Sequence, residues 1–176
     1  MVMIPIPYSK QAFLPNLLLL IIVPLIVLTI MLSTPVDPVL GASVIILLLL
    51  VLLVLGVSPF LTSHELHDDR LVLRQGWYFK AVIPLNNILD AELLDNGPRK
   101  IGVSFRMAGS VVSVTTRKHG VIELRLRRQQ TFVWALGKRA DRVIFDAIDD
   151  RRLLKRLQDR SLSPVETDGA GAQLRY

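Results

Sequence analysis

The chain has 176 residues, of which 51% are hydrophobic and 20% are charged. The charge is distributed unevenly, because 20 of the 21 Lys and Arg and 14 of the 15 Asp and Glu lie after residue 63. A nearly uncharged first third excludes a soluble enzyme with one core spread along the chain. About 110 residues remain, enough for one compact domain but not for a large multidomain protein. The sequence has no cysteine, which excludes disulfides, thiolate metal sites and a cysteine nucleophile.

Two long apolar segments, residues 12–33 and 39–59, contain no charged side chain. Each has about 20 residues, the length at which an α-helix crosses the hydrocarbon core of a bilayer. Buried core helices fit less well, because the remaining domain is too small to cover two helices that are apolar all round. A cleaved signal peptide also fits less well, since no A-x-A-like site follows the first segment. The sequence therefore predicts that residues 1–59 form an N-terminal transmembrane hairpin.

The orientation of the hairpin follows from its flanking charges. The short, proline-rich connector between the two segments carries only Asp37, whereas Lys10 precedes the first segment and Arg70, Arg74 and Lys80 follow the second. Basic residues close to a span favour the cytoplasmic side. We therefore expect an integral protein of the cell (inner) membrane, with two spans and with both termini in the cytoplasm.

The pattern of apolar residues changes to a period of two after residue 59. Apolar and polar residues alternate in 79–85, 101–107 and 122–126, which is typical of strands with one buried and one wet face. Turn signals rich in Gly and Asn separate these runs. We predict about seven antiparallel strands in a domain of residues 60–159.

The last predicted strand is Arg142–Ile148, and a helix follows it. Asp149 and Asp150 suit the N-terminus of a helix, and Leu153, Leu154 and Leu157 recur at helical spacing after them. Residues 160–176 are mostly small and polar and contain glycine, which predicts a disordered tail.

One hairpin has a preferred register. A three-residue turn of Lys118, His119 and Gly120 would place Val114 opposite Leu124, and Val112 opposite Leu126. A two-residue turn would instead set Val114 against a charged residue. The register that keeps one face apolar is the predicted one.

The stretch Leu71-Val-Leu-Arg-Gln-Gly76, followed by Ile83-Pro-Leu85 and then Ile88, resembles the pattern of a known family. It is similar to the small bacterial and archaeal PH-domain membrane proteins with YdbS-like architecture. The resemblance implies a membrane α-helical hairpin and a mainly-β PH-like barrel closed by the C-terminal helix, without enzymatic activity. The phosphoinositide site of eukaryotic PH domains should not be carried over, since the first hairpin loop is only about Gln75-Gly76.

The segment 64–69 is the most enzyme-like cluster, with two histidines and three carboxylates. A metal-binding protein or a metal-dependent membrane enzyme is the alternative that it raises. The spacing does not match H-E-x-x-H, and a strand would point His64 and His67 to opposite sides. A polar linker explains the segment more simply. No nucleophile elbow, P-loop or dinucleotide fingerprint occurs, so we expect no catalytic residues, no metal and no cofactor.

Residues 97–128 contain eight Lys and Arg and one Glu. They could face anionic lipid headgroups, or they could be a solvated outer face of the sheet. Within the following connection, 129–142, aromatic residues lie beside basic ones, which suits either core packing or contact with a membrane or partner. The predicted contact residues are therefore basic and aromatic side chains of these two segments: Arg117, Lys118, Arg125, Arg127, Arg128, Phe132 and Trp134.

These observations predict a membrane-anchored interaction or scaffold module that contacts a membrane-protein partner or anionic lipid. Nucleic acid is not expected as a partner, because aromatic residues are not interleaved with the basic strands. A minimal transporter or channel part is disfavoured, since the spans carry no ionisable residue. The oligomeric state, the partner and the lipid are left open by the sequence.

Overall fold

A computed structural model describes residues 3–105 and 109–162 of the chain. A 3-10 turn, Gln11–Phe13, leads into helix α1 (Leu14–Ser33). Helix α2 (Pro38–Val51) passes through a π-helical segment, Leu52–Val57, into the short α3 (Ser58–Leu61). The two resulting helical rods, of 23 and 24 residues, are long and apolar enough to cross a membrane by length and composition. Their bounds agree with those of the two predicted apolar helices.

The second helical rod has a defined start. Asp37 precedes α2, and its Oδ1 accepts hydrogen bonds from the backbone N–H groups of Val39 at 2.9 Å and Leu40 at 3.1 Å. An aspartate in this position satisfies donors that have no partner within the helix. The proline at the first position of α2 needs no hydrogen bond there and fixes the helical backbone. The connector between the rods is therefore as short as the sequence predicted.

The described residues form nine strands in two sheets. The first sheet contains Ile4–Ile6 (β1), His64–Leu66 (β2), Arg70–Gln75 (β3) and Phe79–Pro84 (β4), all antiparallel and in that order. The second contains Ile88–Asn96 (β5), Gly102–Phe105 (β6), Val111–Thr115 (β7), His119–Phe132 (β8) and Lys138–Phe145 (β9), in the order β5-β8-β9-β7-β6. Strands β3 to β9 correspond to the seven predicted strands, although the end of the predicted run 101–107 lies outside the described residues.

Strand β1 belongs to the β-domain, although it precedes both helical rods in the chain. Its residues pair antiparallel with β2, so that Ile4 lies opposite Leu66 and Ile6 lies opposite His64. The sequence assigned everything before residue 60 to the hairpin, whereas this strand belongs to the first sheet. The two helical rods are thus an insertion between two neighbouring strands, and both ends of the hairpin return to the same sheet.

The predicted hairpin between β7 and β8 is wrong. Strand β9 lies between them, parallel to β7 and antiparallel to β8. Val143 of β9 therefore has Val112 on one side and Leu124 on the other, where the sequence predicted direct contact between Val114 and Leu124. The alternating pattern is satisfied equally by either arrangement, since β9 carries the same apolar alternation as its two neighbours. The prediction that all strands are antiparallel fails at this pair.

The expected closed barrel is also not formed, because the two sheets share no ladder in the described residues. A 3-10 turn, Leu85–Asn87, follows β4, and β5 then pairs with β8 instead of continuing the first sheet. The inner faces of the two sheets pack on each other around one core. Its fully buried side chains include Leu71, Leu73, Ile83, Leu124 and Phe145.

The C-terminal helix, α4 (Asp150–Leu162), covers one end of this core, as predicted. Leu153 and Leu157 are buried against β5 and β8, and the basic residues between them are exposed. The side chain of Gln158 also donates to the carbonyl of Ala91 in β5 at 3.2 Å. The predicted disordered tail, 160–176, starts within this helix and lies outside the described residues from 163 onward.

Candidate functional site

The connection between β8 and β9 is a tight turn, Val133–Gly137, which we call the β8–β9 turn. A 3-10 turn, Val133–Ala135, leads to Leu136 at φ +55° and Gly137 at φ +71°. Leu136 is the only non-glycine residue with a positive φ among those described. Left-handed backbone is unfavourable for a leucine, and residues held in this way often belong to functional sites.

The β8–β9 turn directs three large apolar side chains outward. Val133, Trp134 and Leu136 are 79%, 57% and 83% exposed. Phe132, which precedes these residues, and Ala135, which lies between Trp134 and Leu136, are buried in the core and are 3% and 0% exposed. Phe132 thus takes the core-packing alternative that the sequence left open for this connection, and its ring fixes the turn to the domain. The remaining side chains form a compact apolar tip, which suits contact with another molecule.

Arg127 and Arg128 lie in an irregular part of β8, about five residues before this turn. The pairing of β8 with β9 shifts register between Arg125 and Gln130, which marks a bulge. Asn87 holds the bulge, since its Oδ1 accepts from the Arg128 backbone N–H at 3.0 Å and its amide donates to the Arg128 carbonyl at 3.2 Å. Both arginine side chains are exposed. A bulge of this kind aims side chains away from the regular face of the strand.

The other predicted basic residues are placed differently. Arg125 pairs with Glu92 at 3.3 Å. Arg117 lies 3.3 Å from Asp150, 3.9 Å from Asp146, and donates to the Ala147 carbonyl. These contacts tie the β7–β8 connection to the start of α4, so the charge of Arg117 is already balanced inside the domain.

The predicted contact residues do not form one surface. Arg117 and the exposed Lys118 lie beside the residues that follow the last residue of β9, whereas the β8–β9 turn precedes its first residue. The eight residues of β9 extend over roughly 23 Å. The β8–β9 turn with Trp134 is therefore the candidate site, and Arg117, Lys118 and Arg125 do not join it. Arg127, whose Nε donates to the Ile88 carbonyl at 3.4 Å, and Arg128 lie in the preceding bulge of β8.

The metal alternative at 64–69 gains no support from the contacts. His64 is buried, and its Nδ1 accepts a hydrogen bond from the Arg74 backbone N–H at 3.1 Å. Glu65 points to the face of β2 opposite to His64, and its carboxylate lies 3.2 Å from the Nε2 atom of His67. Within the described ranges, no group of three or more His, Asp or Glu side chains converges as metal ligands would.

A buried polar cluster, which the sequence did not predict, lies where the helical rods meet the β-domain. Tyr8, only 1% exposed, donates to the Pro59 carbonyl at 2.7 Å and lies 2.9 Å from the Thr62 hydroxyl. The Thr62 hydroxyl in turn accepts from the Gly76 backbone N–H at 2.9 Å. Burial raises the pKa of Tyr8, which keeps the phenol neutral. The N-terminal segment, the end of the second helical rod and the β3–β4 turn are joined by this one side chain.

The same cluster contains His64 and Asp146. The His64 ring stacks near Tyr8 at a centroid distance of 4.9 Å, and its burial lowers its pKa to about 3. Burial raises the pKa of Asp146, whose carboxylate accepts from the backbone N–H of Thr116 at 2.6 Å and from its hydroxyl at 2.5 Å. The carboxylate thus holds the β7–β8 connection across the end of β9. A single acidic residue directly after the apolar run Val143–Phe145 is the sequence signal that could have found it.

Comparison of the chain with protein-family models, curated proteins and solved structures gives no match. The likeness to the bacterial PH-domain family accordingly stays a prediction from the short motif in 71–88.

Proposed function

We propose that the chain is a membrane-anchored, non-enzymatic interaction module. The two helical rods insert as an antiparallel hairpin, and the β-domain is presented with both termini at the cytoplasmic face of the inner membrane. The β8–β9 turn receives a protein partner. The observation that carries this proposal is the exposure of Val133, Trp134 and Leu136 on a turn with a left-handed leucine.

The proposed anchoring is supported by the surfaces of the rods. Residues 11–33 and 38–61 include no charged side chain, and most of their apolar side chains are exposed along the whole length. Water would make this exposure costly, whereas hydrocarbon removes the cost. Lys10 and Arg74, at the end of the hairpin that meets the β-domain, favour the cytoplasmic orientation.

A protein partner is favoured over the anionic headgroups of lipids. Arg117 and Arg125 face Asp150 and Glu92, so two of the five basic residues predicted to bind lipid are already paired. Lipid attraction depends on uncompensated positive charge near the surface. Exposed apolar side chains that include a tryptophan are instead typical of protein interfaces, where Trp is among the residues that contribute most of the binding energy.

The proposal includes membership of the bacterial PH-domain family. It is supported by the order of elements, seven strands from β3 to β9 followed by a final helix. The two unclosed sheets and the parallel β7–β9 pair depart from the expected barrel.

The partner site is tested by photocrosslinking in native membranes. A photoreactive phenylalanine analogue replaces Trp134 in one protein and Trp77 in a matched control; these two tryptophans are 57% and 53% exposed on different turns. We expect a crosslinked protein from position 134, absent from position 77, and lost when L136D is added. Equal products from both positions, or crosslinks to lipid alone at position 134, would contradict the proposed site.

The topology is tested separately with a reporter fused after Tyr176, which should be active only in the cytoplasm. An external reporter would overturn the proposed orientation.

A further inference from the structure

The β3–β4 turn, residues 76–78, is held against the end of the second helical rod. The Trp77 backbone N–H donates to the Ser58 hydroxyl at 3.0 Å. Gly76 has a φ of +61°, and a Cβ atom at this position would lie 2.5 Å from the same hydroxyl oxygen. Because only a glycine permits so close an approach, the position of the turn along the rod is fixed.

This position along the rod coincides with the boundary of the hydrocarbon core. The second rod begins at Pro38, and Ser58 follows 20 residues later, which is roughly 30 Å at the helical rise. The hydrocarbon core of a bilayer is itself about 30 Å thick. In a hairpin that spans the membrane, Trp77 therefore lies level with the lipid headgroups. Its side chain is 53% exposed, and tryptophan is enriched at this level in membrane proteins.

The connection between β5 and β6, residues 97–101, lies beside this turn. Ile101 is 44% exposed, and it lines the same cleft as Tyr78 of the turn, opposite residues of α1. A Cβ atom at Gly102, the next residue, would lie 3.6 Å from the side chain of Gln75, which ends β3 just before the turn. The turn and the end of the connection therefore share the surface of the β-domain that adjoins the helical rods.

The same connection carries exposed positive charge. Arg99 and Lys100, directly before the exposed isoleucine, are both exposed. The backbone of the connection is hydrogen bonded to the carbonyl of Lys118, whose side chain is also exposed. The sequence has no acidic residue between Asp95 and Glu123. Cations held within a Debye length of a leaflet are attracted to its anionic headgroups.

We propose that Trp77, Arg99, Lys100 and Ile101, here called the leaflet patch, bind the anionic headgroups of the cytoplasmic leaflet. The two apolar side chains enter the interface between headgroups and acyl chains, and the two cations contact lipid phosphates. A lipid surface is the expected occupant, because the rods bring the patch to headgroup level whenever the hairpin is inserted. The inference rests on the proposed membrane anchoring, and it leaves the β8–β9 turn for the protein partner.

The contact is tested with the full chain reconstituted in vesicles of equal parts phosphatidylcholine and phosphatidylglycerol. A photoreactive phenylalanine analogue replaces Trp77 or Ile101, and lipid adducts are identified by mass spectrometry. Leu89 is the control position, because it is 55% exposed and lies roughly 23 Å along β5 from Asn96, the residue before the connection. We expect lipid adducts at positions 77 and 101 and few or none at position 89.

Two charge variants, made in the protein that carries the analogue at position 77, test the role of the cations. R99Q/K100Q removes both cations of the patch, and R127Q/R128Q removes two exposed, adjacent arginines near the opposite end of β5 as a matched control. Without these changes, the adducts should contain about tenfold to thirtyfold more phosphatidylglycerol than phosphatidylcholine, the factor expected from two cations at a headgroup surface. R99Q/K100Q should bring this ratio close to one, whereas R127Q/R128Q should leave it unchanged.

Failure of the leaflet patch is distinguishable from failure of the proposed function, because anchoring is measured separately by alkaline carbonate extraction of native membranes. A chain that resists extraction but yields no more lipid adducts at positions 77 and 101 than at position 89 retains its anchoring and disproves the patch. Equal amounts of the two lipids in the adducts at position 77, or crosslinks there to a second copy of the chain, would also overturn it. A chain released by carbonate disproves the anchoring on which both proposals depend.

Discussion

Acidification should destabilise the β-domain through a single imidazole, that of His64. The side chain is 1% exposed, and burial lowers its pKa from an ordinary value of 6.5 to about 3. The Arg74 backbone N–H donates to Nδ1, so the neutral ring carries its proton on Nε2. Protonation of the folded state would place a charge in the core without a water shell.

The magnitude follows from linkage between protonation and folding. Between pH 6.5 and about 3 the unfolded chain binds a proton at His64 and the folded chain does not, so stability falls as the pH falls. The full pKa difference corresponds to about 5 kcal/mol, of which about 2 kcal/mol is lost between pH 7 and pH 5. Asp146 acts in the opposite direction, because its raised pKa adds stability as the pH falls through its folded pKa.

A comparison of variants separates the two groups. H64N places a non-titrating acceptor near the position of Nδ1, and Asp146 is present in both proteins. Urea unfolding of the full chain in detergent, followed by tryptophan fluorescence, gives the free energy of unfolding at pH 7 and pH 5. The wild type should lose about 2 kcal/mol more than H64N between these pH values. H119N removes an exposed imidazole as a control and should behave like the wild type.

Equal losses of stability in the wild type and in H64N would refute the reasoning. That result would mean that His64 is hydrated or has an acidic partner in the folded state.

Two further predictions concern side chains that connect separate parts of the chain. Y8F leaves a buried carbonyl and the Thr62 hydroxyl without the phenol, and should lower the free energy of unfolding by about 1–2 kcal/mol; unchanged urea unfolding would show that the phenol does not join the helices to the sheet. N87A removes both side-chain bonds to the backbone of Arg128, and should speed amide hydrogen exchange at that residue about tenfold without unfolding the domain. Exchange at the wild-type rate would contradict the assigned bracing of the bulge.

The sequence predicted individual elements better than their arrangement. Strands such as β4, β6 and the middle of β8 were recognised from alternation, and both helical rods from uninterrupted apolar residues, because these patterns are local. The order of strands β7, β9 and β8 in the sheet could not be predicted, because Val112, Leu124 and Val143 present the same type of side chain to any neighbouring strand. Strand β1 has three residues, one of them proline, and is formed only by pairing with β2.

The candidate site could be predicted in part. Trp134 beside basic residues indicated a surface, but only backbone geometry shows that Phe132 points inward and Leu136 outward. Arg117 was assigned to the same surface because sequence distance alone does not show its contact with Asp150. His64 resembled a polar linker, since burial of a polar residue leaves no periodic signal when the strand has only three residues.

Pairing between β1 and β2 imposes an order on biosynthesis. During translation β1 is made first, but its partner follows only after both helical rods have been synthesised, so the first sheet cannot be completed before the hairpin exists. In a chain inserted as proposed, a hairpin with only one helix across the bilayer would leave the two strands on opposite sides of the membrane. Completion of the sheet therefore excludes chains with a single inserted helix, and the hydrogen bond from Tyr8 to the Pro59 carbonyl then joins the two ends of the hairpin.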